Sequence, residues 1–179
     1  MSSNSRAAAQ PIRLPVRLAP PGQHSRGTAG YWIGAWLPVL IGIGVIALES
    51  TPWFGADHTS RPLRMLFQAI FGSVSDARWD VIHHYIRKTG HFTGYGFIGL
   101  AWLRAWWMTL PRARFFSDAG LALLGTGLLA TWDEWHQSLL PNRTSSPFDV
   151  LIDCTGAICL CLVTYIFVRL FRPERLARL

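Results

Sequence analysis

Charged residues are scarce in this chain. They make up 15% of its 179 residues, whereas a soluble domain of this size has about 25%. Hydrophobic residues make up 50% of the chain, which includes nine Trp, and the mean hydropathy is +0.24. This composition excludes an ordinary soluble domain and indicates a small membrane protein with one transmembrane domain.

Cysteine is rare as well, and its spacing is not that of a metal site. Cys154, Cys159 and Cys161 all lie in the last apolar run without a C-x-x-C pair, so we interpret them as small buried apolar residues. A disulfide framework and a zinc site of that type are therefore not expected. The sequence also lacks a nucleophile elbow, an H-E-x-x-H motif and a P-loop. We assign no metal or cofactor.

The basic character of the chain does not indicate nucleic-acid binding. The net charge is +7 and the pI is near 10.2. However, the basic residues flank apolar runs, and no basic helix or RNA-binding motif is present. We expect this charge to set the membrane topology and to contact anionic lipids, with no nucleic acid as a partner.

The apolar runs predict an all-α integral membrane protein, a four-transmembrane-helix bundle within residues 30–171. Each run has about 18–24 residues, enough to cross about 30 Å of hydrocarbon. The predicted spans are 31–48, 91–109, 117–140 and 148–170. Trp102, Trp106 and Trp107 are expected to form an interfacial belt, and Arg104 is expected to extend to the membrane surface.

The segments outside these spans divide into two tails and one long connection. We expect residues 1–29 to be a disordered cytoplasmic tail, not a signal peptide, and residues 172–179 to be a basic cytoplasmic tail. Residues 49–90 form an external insert that is too long for a bare loop. Its apolar spacing predicts two short amphipathic helices, near 62–71 and 76–88, at the membrane surface. His83 and His84 are expected on the wet side of the second.

The distribution of basic residues predicts the orientation. Of the 17 Lys and Arg residues, eleven flank one side of the predicted spans and six flank the other. The positive-inside rule then places both termini of this multi-pass protein in the cytoplasm.

The segment Thr131–Gln137 places two acids, an imidazole and an amide at the end of the third apolar run. An Asp at the centre of a bilayer costs about 2.5–3.5 kcal/mol and less toward an interface, so such a group is seldom present without a use. On a helix, Asp133, His136 and Gln137 share one side, and Glu134 lies about 100° from Asp133.

In the predicted topology, other polar side chains meet this segment on the outer face. The heads of the second and fourth spans and the Arg143 loop lie at the same end of the bundle. Gly90 and Gly94 are spaced to let a neighbouring helix approach closely. The candidate ligand-binding residues are Lys88, His91, Tyr95, Asp133, Glu134, Gln137, Arg143 and Asp153.

Structural roles explain some of these residues equally well. Ser146, Pro147 and Asp149 have the pattern of a helix start, so capping is the preferred role of Asp149. Lys88 fits an interfacial anchor, and Trp132 and Trp135 fit an aromatic belt. The other polar groups also fit a buried hydrogen-bond network that only holds the helices together.

The same residues resemble the VanZ-like membrane proteins. The resemblance rests on K-x-x-H-F-x-x-Y at residues 88–95, D-E-x-x-Q at 133–137, P-x-R at 141–143, and D-x-x-x-D at 149–153 followed by Gly156. It covers about residues 31–170. One departure is Asp153, where Asn is common in the family, so this site has one carboxylate more. The resemblance implies a bacterial inner-membrane protein and a link to resistance toward teicoplanin, a lipoglycopeptide that binds cell-wall precursors.

Three functions are compatible with the residues. In the first, the outer face binds a lipid-linked cell-wall intermediate or the lipoglycopeptide, with Arg143 and Lys88 holding a phosphate or carboxylate. In the second, an intramembrane hydrolase or transferase uses His91 or His136 as base, with Glu134 or Asp133 as acid or orienting group; a His, Glu and Asp mixture also permits a metal. The third is a structural or assembly role.

Overall fold

The computed structural model describes residues 28–110, 114–140 and 145–171, except the side chains of residues 56 and 57. Within these ranges the chain is helical, without strands. The helices are α1 (Ala29–Glu49), α2 (Ala56–Phe71), α3 (Asp76–Thr109), α4 (Phe115–Ser138) and α5 (Pro147–Phe171), with a 3₁₀ turn at Pro52–Phe54. The tail residues 1–27 and 172–179, and Arg143, lie outside the described residues.

Within the described ranges, three helices are long and apolar enough to cross a bilayer: α1, α4 and α5. They correspond to the predicted spans 31–48, 117–140 and 148–170, and their ends lie within two residues of those bounds. The agreement arises because each helix ends where its apolar run ends. The prediction of an all-helical membrane protein is thus confirmed.

The helix α3 corrects the prediction of a surface helix followed by a separate membrane span. Residues 76–88 and 91–109 form one uninterrupted helix of 34 residues, about 51 Å long at 1.5 Å per residue. Gly90 does not interrupt it, since a helical Gly costs only about 1 kcal/mol. Packing compensates for that cost, because α3 contacts each of the other four helices.

The most extensive helix contact joins α3 to α5, and glycines allow it. A Cβ added at Gly156 would overlap the carbonyl oxygen of Phe92, and one at Gly99 would lie 2.7 Å from the Cβ of Ala157. The prediction that Gly90 and Gly94 make the close approach is wrong. A Cβ at either position meets nothing within 4 Å, because these two glycines face a cavity instead.

α1 and α3 run antiparallel and are joined by polar contacts near the start of α1. Tyr31 donates a hydrogen bond to the Met108 carbonyl. Pro38 has no N–H, so its position in α1 leaves the Gly34 carbonyl without its helical partner. Arg104 Nη1 donates to that oxygen at 2.8 Å and to the Ala35 carbonyl at 3.2 Å. The guanidinium thus repairs the helix defect, in addition to lying on the exposed surface.

The tryptophans near this end pack inward, which corrects the expected belt. Trp36 contacts Trp102 and Trp106 edge to face, with ring centroids 5.7 and 4.8 Å apart. The indole nitrogens of Trp102 and Trp106 are buried and have no hydrogen-bond partner among the described residues, whereas a belt residue would direct its N–H to the headgroups. We call Trp36, Trp102, Trp106, Phe115 and the buried Asp118 the aromatic end.

α2 packs against the first turns of α3. Trp79 is buried and its indole donates to Ser60 Oγ at 2.7 Å. Arg64 pairs with Asp76 at 2.7 Å across the turn. His83, expected on the wet side, is buried and lies 3.3 Å from Thr59 Oγ1. Burial lowers the pKa of His83 below its ordinary value, and the charge of Arg87 lowers it further. The neighbouring His84 is exposed, as predicted.

Candidate functional site

A group of polar side chains lies at the end of the bundle opposite the aromatic end. It is formed where α1 and α4 end, where α5 begins and where α3 passes between them. Five residues form what we call the polar cluster: His91, Tyr95, Asp133, Glu134 and Asp153. All but His91 are at most 5% exposed. Side chains from three helices are therefore withdrawn from solvent at one place.

Tyr95 and Asp133 connect α3 to α4. The Tyr95 hydroxyl donates to Asp133 Oδ2 at 2.9 Å, and both side chains are 2% exposed. The other oxygen, Asp133 Oδ1, has no hydrogen-bond partner among the described residues. A buried acceptor without a partner is costly, so this oxygen is available to a ligand donor.

His91 and Asp153 connect α3 to α5. His91 Nδ1 lies 3.4 Å from Asp153 Oδ1, within range of an ion pair but without hydrogen-bond geometry to the nitrogen. Asp153 is fully buried, and neither of its oxygens has a hydrogen-bond partner in the part of the chain that the structure describes. The His91 ring stacks on Tyr95 with centroids 6.1 Å apart. This stacking fixes the imidazole between the carboxylates of Asp133 and Asp153.

Glu134 has a structural role at the start of α5. Its Oε2 accepts the N–H of Ser146 at 2.9 Å, while the Ser145 hydroxyl donates to the Glu134 carbonyl at 2.9 Å. Ser146 Oγ in turn accepts the Phe148 N–H at 3.2 Å, so Ser146 caps the helix as predicted. Glu134 Oε1 has no partner among the described residues, which leaves it one free acceptor.

Lys88, a candidate anion ligand, forms an ion pair with Asp149. Both side chains are partly shielded, with 28% and 15% exposure. The Asp149 carboxylate is thus engaged by Lys88 in addition to its place in the first turn of α5. This pair neutralises both charges, so Lys88 contributes little free positive charge to a ligand. Arg143, the other candidate cation, lies outside the described residues.

His136 lies apart from the polar cluster, on the side of α4 that faces α1. Its Nδ1 is 2.8 Å from Ser50 Oγ, and its ring stacks on the exposed Trp132 at 5.6 Å. The structure thus separates His136 from Asp133, with which it was grouped on the sequence. Ser50 is 1% exposed and escaped the sequence analysis.

A pocket of about 30 Å³ lies beside the cluster, which is room for a single water molecule. Its polar lining residues are Glu49, His91, Tyr95, Asp133 and Gln137. Glu49 was also missed, although the pair Glu49-Ser50 ends an apolar run just as Asp133-Glu134 does. Among the described residues, no group of three or more His, Cys, Asp or Glu side chains is arranged to hold a metal ion.

Comparison with protein families places the chain. The model of the family described as VanZ/LLP1 matches residues 34–169. The chain belongs to the VanZ/LLP1 family. Its VanZ/LLP1 region extends from α1 into α5 and contains every member of the polar cluster. Comparisons with curated proteins and with solved structures found no match.

The VanZ-like motifs found in the sequence correspond to contacts between helices. Residues 88–95 supply the α3 side of three pairs, which Asp133, Asp149 and Asp153 complete. Gly156 is the small residue on which the backbone of α3 rests. The motifs on α3, α4 and α5 therefore converge in space, although they are separated in sequence, whereas P-x-R at 141–143 lies outside the described residues.

Proposed function

We propose that this VanZ/LLP1 protein lies in the bacterial inner membrane as a four-helix bundle and binds the headgroup of a lipid-linked cell-wall molecule through its polar cluster. In this proposal the cluster faces the outside and both termini lie in the cytoplasm. Binding of such a precursor, which lipoglycopeptides of the teicoplanin type also recognise, gives the protein a role in resistance to them.

The buried carboxylates of Asp133, Glu134 and Asp153 carry the proposal. Each has at least one oxygen without a hydrogen-bond partner in the described ranges. A protein that needed these residues only for helix packing would gain by satisfying or removing such acceptors. Asp133 also lines the small pocket, so these acceptors favour a ligand that supplies donors.

The location of α3 supports its assignment as the fourth span. Its apolar half, residues 91–109, packs between α1, α4 and α5, three helices long enough to cross a bilayer. Its remaining residues and α2 lie beyond the predicted outer boundary. Impermeant maleimide labelling of Arg143→Cys and Arg114→Cys in intact cells tests this orientation. We expect labelling at 143 only, and labelling at 114 only would reverse the topology.

Substitution of the cluster tests the function. We expect Asp133→Asn and His91→Gln to lose lipoglycopeptide protection when they replace the wild type in a deletion strain, while melting temperatures in detergent stay within a few degrees. Asp118→Asn is the matched control, because it changes a buried carboxylate at the aromatic end. Wild-type susceptibility in all folded cluster variants would contradict the proposal.

Acid–base catalysis is the second candidate, and the His91–Asp153 contact favours it. A carboxylate beside an imidazole is a common general-base arrangement. His136, the other candidate base, is already bound to Ser50. If the protein is a hydrolase or transferase, His91→Gln should abolish protection while precursor binding to the purified protein is retained. Simultaneous loss of both would favour simple binding.

A further inference from the structure

A cavity of about 540 Å³ lies between α1, α2 and α3, within the range of small-molecule sites. Most of its wall consists of apolar side chains and glycines of α1 and α3, among them Ile41, Val45 and Phe97. These three side chains are 48–64% exposed, so the cavity opens sideways through the surface of the bundle. In a membrane that opening faces hydrocarbon.

The cavity has one polar end. Arg87 and His91, one helical turn apart on α3, line it together with Thr59 and Glu49. His91 also lines the small pocket that leads to Asp133. The groove and the small pocket share lining residues, among them Glu49, His91 and Gly94, so the apolar groove adjoins the polar cluster, as an amphiphile would require.

The charges at this end favour a headgroup that carries both signs. Arg87 has no hydrogen bond or ion pair among the described residues, so it is available to an anion. Its charge also lowers the pKa of the nearby His83. Asp133, whose Oδ1 lacks a hydrogen-bond partner in the described ranges, lines the adjoining pocket, and the oxygens of Glu134 and Asp153 without partners there belong to the same cluster. Lys88 is already paired, so among the described residues His91 is the remaining basic group of the cluster. An ammonium group would supply what these oxygens lack.

We propose that the groove between α1 and α3 binds a membrane lipid whose headgroup joins a phosphate to a primary amine. The hydrocarbon chain lies along α1 and α3, the phosphate contacts Arg87, and the amine reaches the pocket beside His91 and Asp133. This inference rests on the proposed function, since it specifies the chemistry that the same polar cluster recognises.

Glycines on the cavity wall provide a sharp test. Gly94 lines the cavity, and an added Cβ there would meet nothing within 4 Å, so Gly94→Leu fills the groove without disturbing a helix contact. Gly44→Leu is the matched control, because Gly44 is equally unobstructed but lies outside the lining. Ala101→Leu, also in the lining, is a second filling variant if Gly94→Leu does not fold.

The full chain is placed in micelles with equal amounts of phosphatidylethanolamine and phosphatidylglycerol. Native mass spectrometry then measures how much of each lipid stays bound to the protein. We expect the amine lipid to be retained about tenfold more, since a charged hydrogen bond contributes about 1.5–3 kcal/mol. Gly94→Leu should lose both lipids and Gly44→Leu neither. Asp133→Asn should remove the preference but not the chain binding.

Equal retention of the two lipids by the wild type would overturn the headgroup assignment, and unchanged retention in both filling variants would overturn the groove. A dimer that disappears in the filling variants without a change in lipid binding would assign the groove to a second copy of the chain. Loss of antibiotic protection in the cluster variants with equal lipid retention would leave the proposed function standing and reject this inference alone.

Discussion

The two ends of the bundle bury acidic groups in opposite ways. At the polar end, Asp133 and Asp153 contact Tyr95 and His91 from another helix and lie near a pocket. At the aromatic end, Asp118 is fully buried but neither carboxylate oxygen has a hydrogen-bond partner among the described residues. Burial of a carboxylate is thus common to both ends. Contacts to the carboxylates from polar side chains of another helix distinguish the candidate site.

The largest effect should come from the glycine that lets α3 and α5 meet at the polar end. We expect Gly156→Ala to cost about 3 kcal/mol or to prevent folding, because its Cβ would overlap the backbone of Phe92. Gly120→Ala, toward the aromatic end, meets nothing within 4 Å and should be neutral or stabilising by up to about 1 kcal/mol. Unfolding in detergent measures both, and equal effects would remove the contrast.

The second largest difference in stability between the two ends should come from the removal of one tyrosine hydroxyl at each end. Tyr95→Phe leaves Asp133 without its donor, so we expect a loss of about 1–3 kcal/mol. Tyr165→Phe removes a hydroxyl that only accepts from the exposed Arg169 at 3.1 Å and should cost well under about 1 kcal/mol. Thermal unfolding of both variants measures the difference. A larger loss for Tyr165→Phe would contradict our description of the polar end as the tightly coupled one.

A double-mutant cycle tests the contact that joins α1 to α3 away from the polar cluster. We expect Arg104→Met to cost about 1 kcal/mol, since it leaves the Gly34 carbonyl without a donor. In a Pro38→Ala background the restored backbone N–H should serve that carbonyl, and Arg104→Met should then cost little. Additive effects of the two substitutions would show that Arg104 does not repair the proline defect.

The smallest expected effect is a pH dependence of α2 docking, beyond the polar end. The pKa of His83 is lowered in the fold, so protonation favours states in which this histidine is exposed. The contribution is therefore present above the ordinary pKa of about 6.5 and is lost as pH falls below it. We expect the opening free energy of amides in α2, corrected for the intrinsic pH dependence of exchange, to fall at acidic pH by less than about 1 kcal/mol.

Two histidine variants control that experiment. His83→Gln should remove the pH dependence, whereas His84→Gln, at an exposed position, should keep it. If exchange in α2 responds equally to pH in wild type and His83→Gln, another group is responsible.

Apolar runs predicted the membrane helices well, because burial in lipid depends on side chains that are adjacent in sequence. α1, α4 and α5 follow this rule. The continuity of α3 could not be predicted in this way. Its first turns were predicted as a separate amphipathic helix, and no local signal in the sequence joins them to the apolar segment that follows.

Contacts between residues that are distant in sequence were the second feature that could not be predicted from the sequence. The motif residues of α3 and α5 were expected at one end, but Lys88 and Asp149 lie 61 positions apart and their charge neutralisation has no local signal. The spacing of Gly90 and Gly94 equally fits a helix contact or a cavity wall, and only the position of α1 decides between them. The Ser50–His136 contact requires the same knowledge.

The unbroken α3 has a mechanical consequence. An α-helix is stiff over this length, so its two halves tilt together as one rigid body. Trp79, under α2, and His91, beside Asp153, lie 12 positions apart, about 18 Å along the axis. A displacement of α2 that tilts α3 would therefore move the imidazole relative to Asp153 without any contact at the polar cluster.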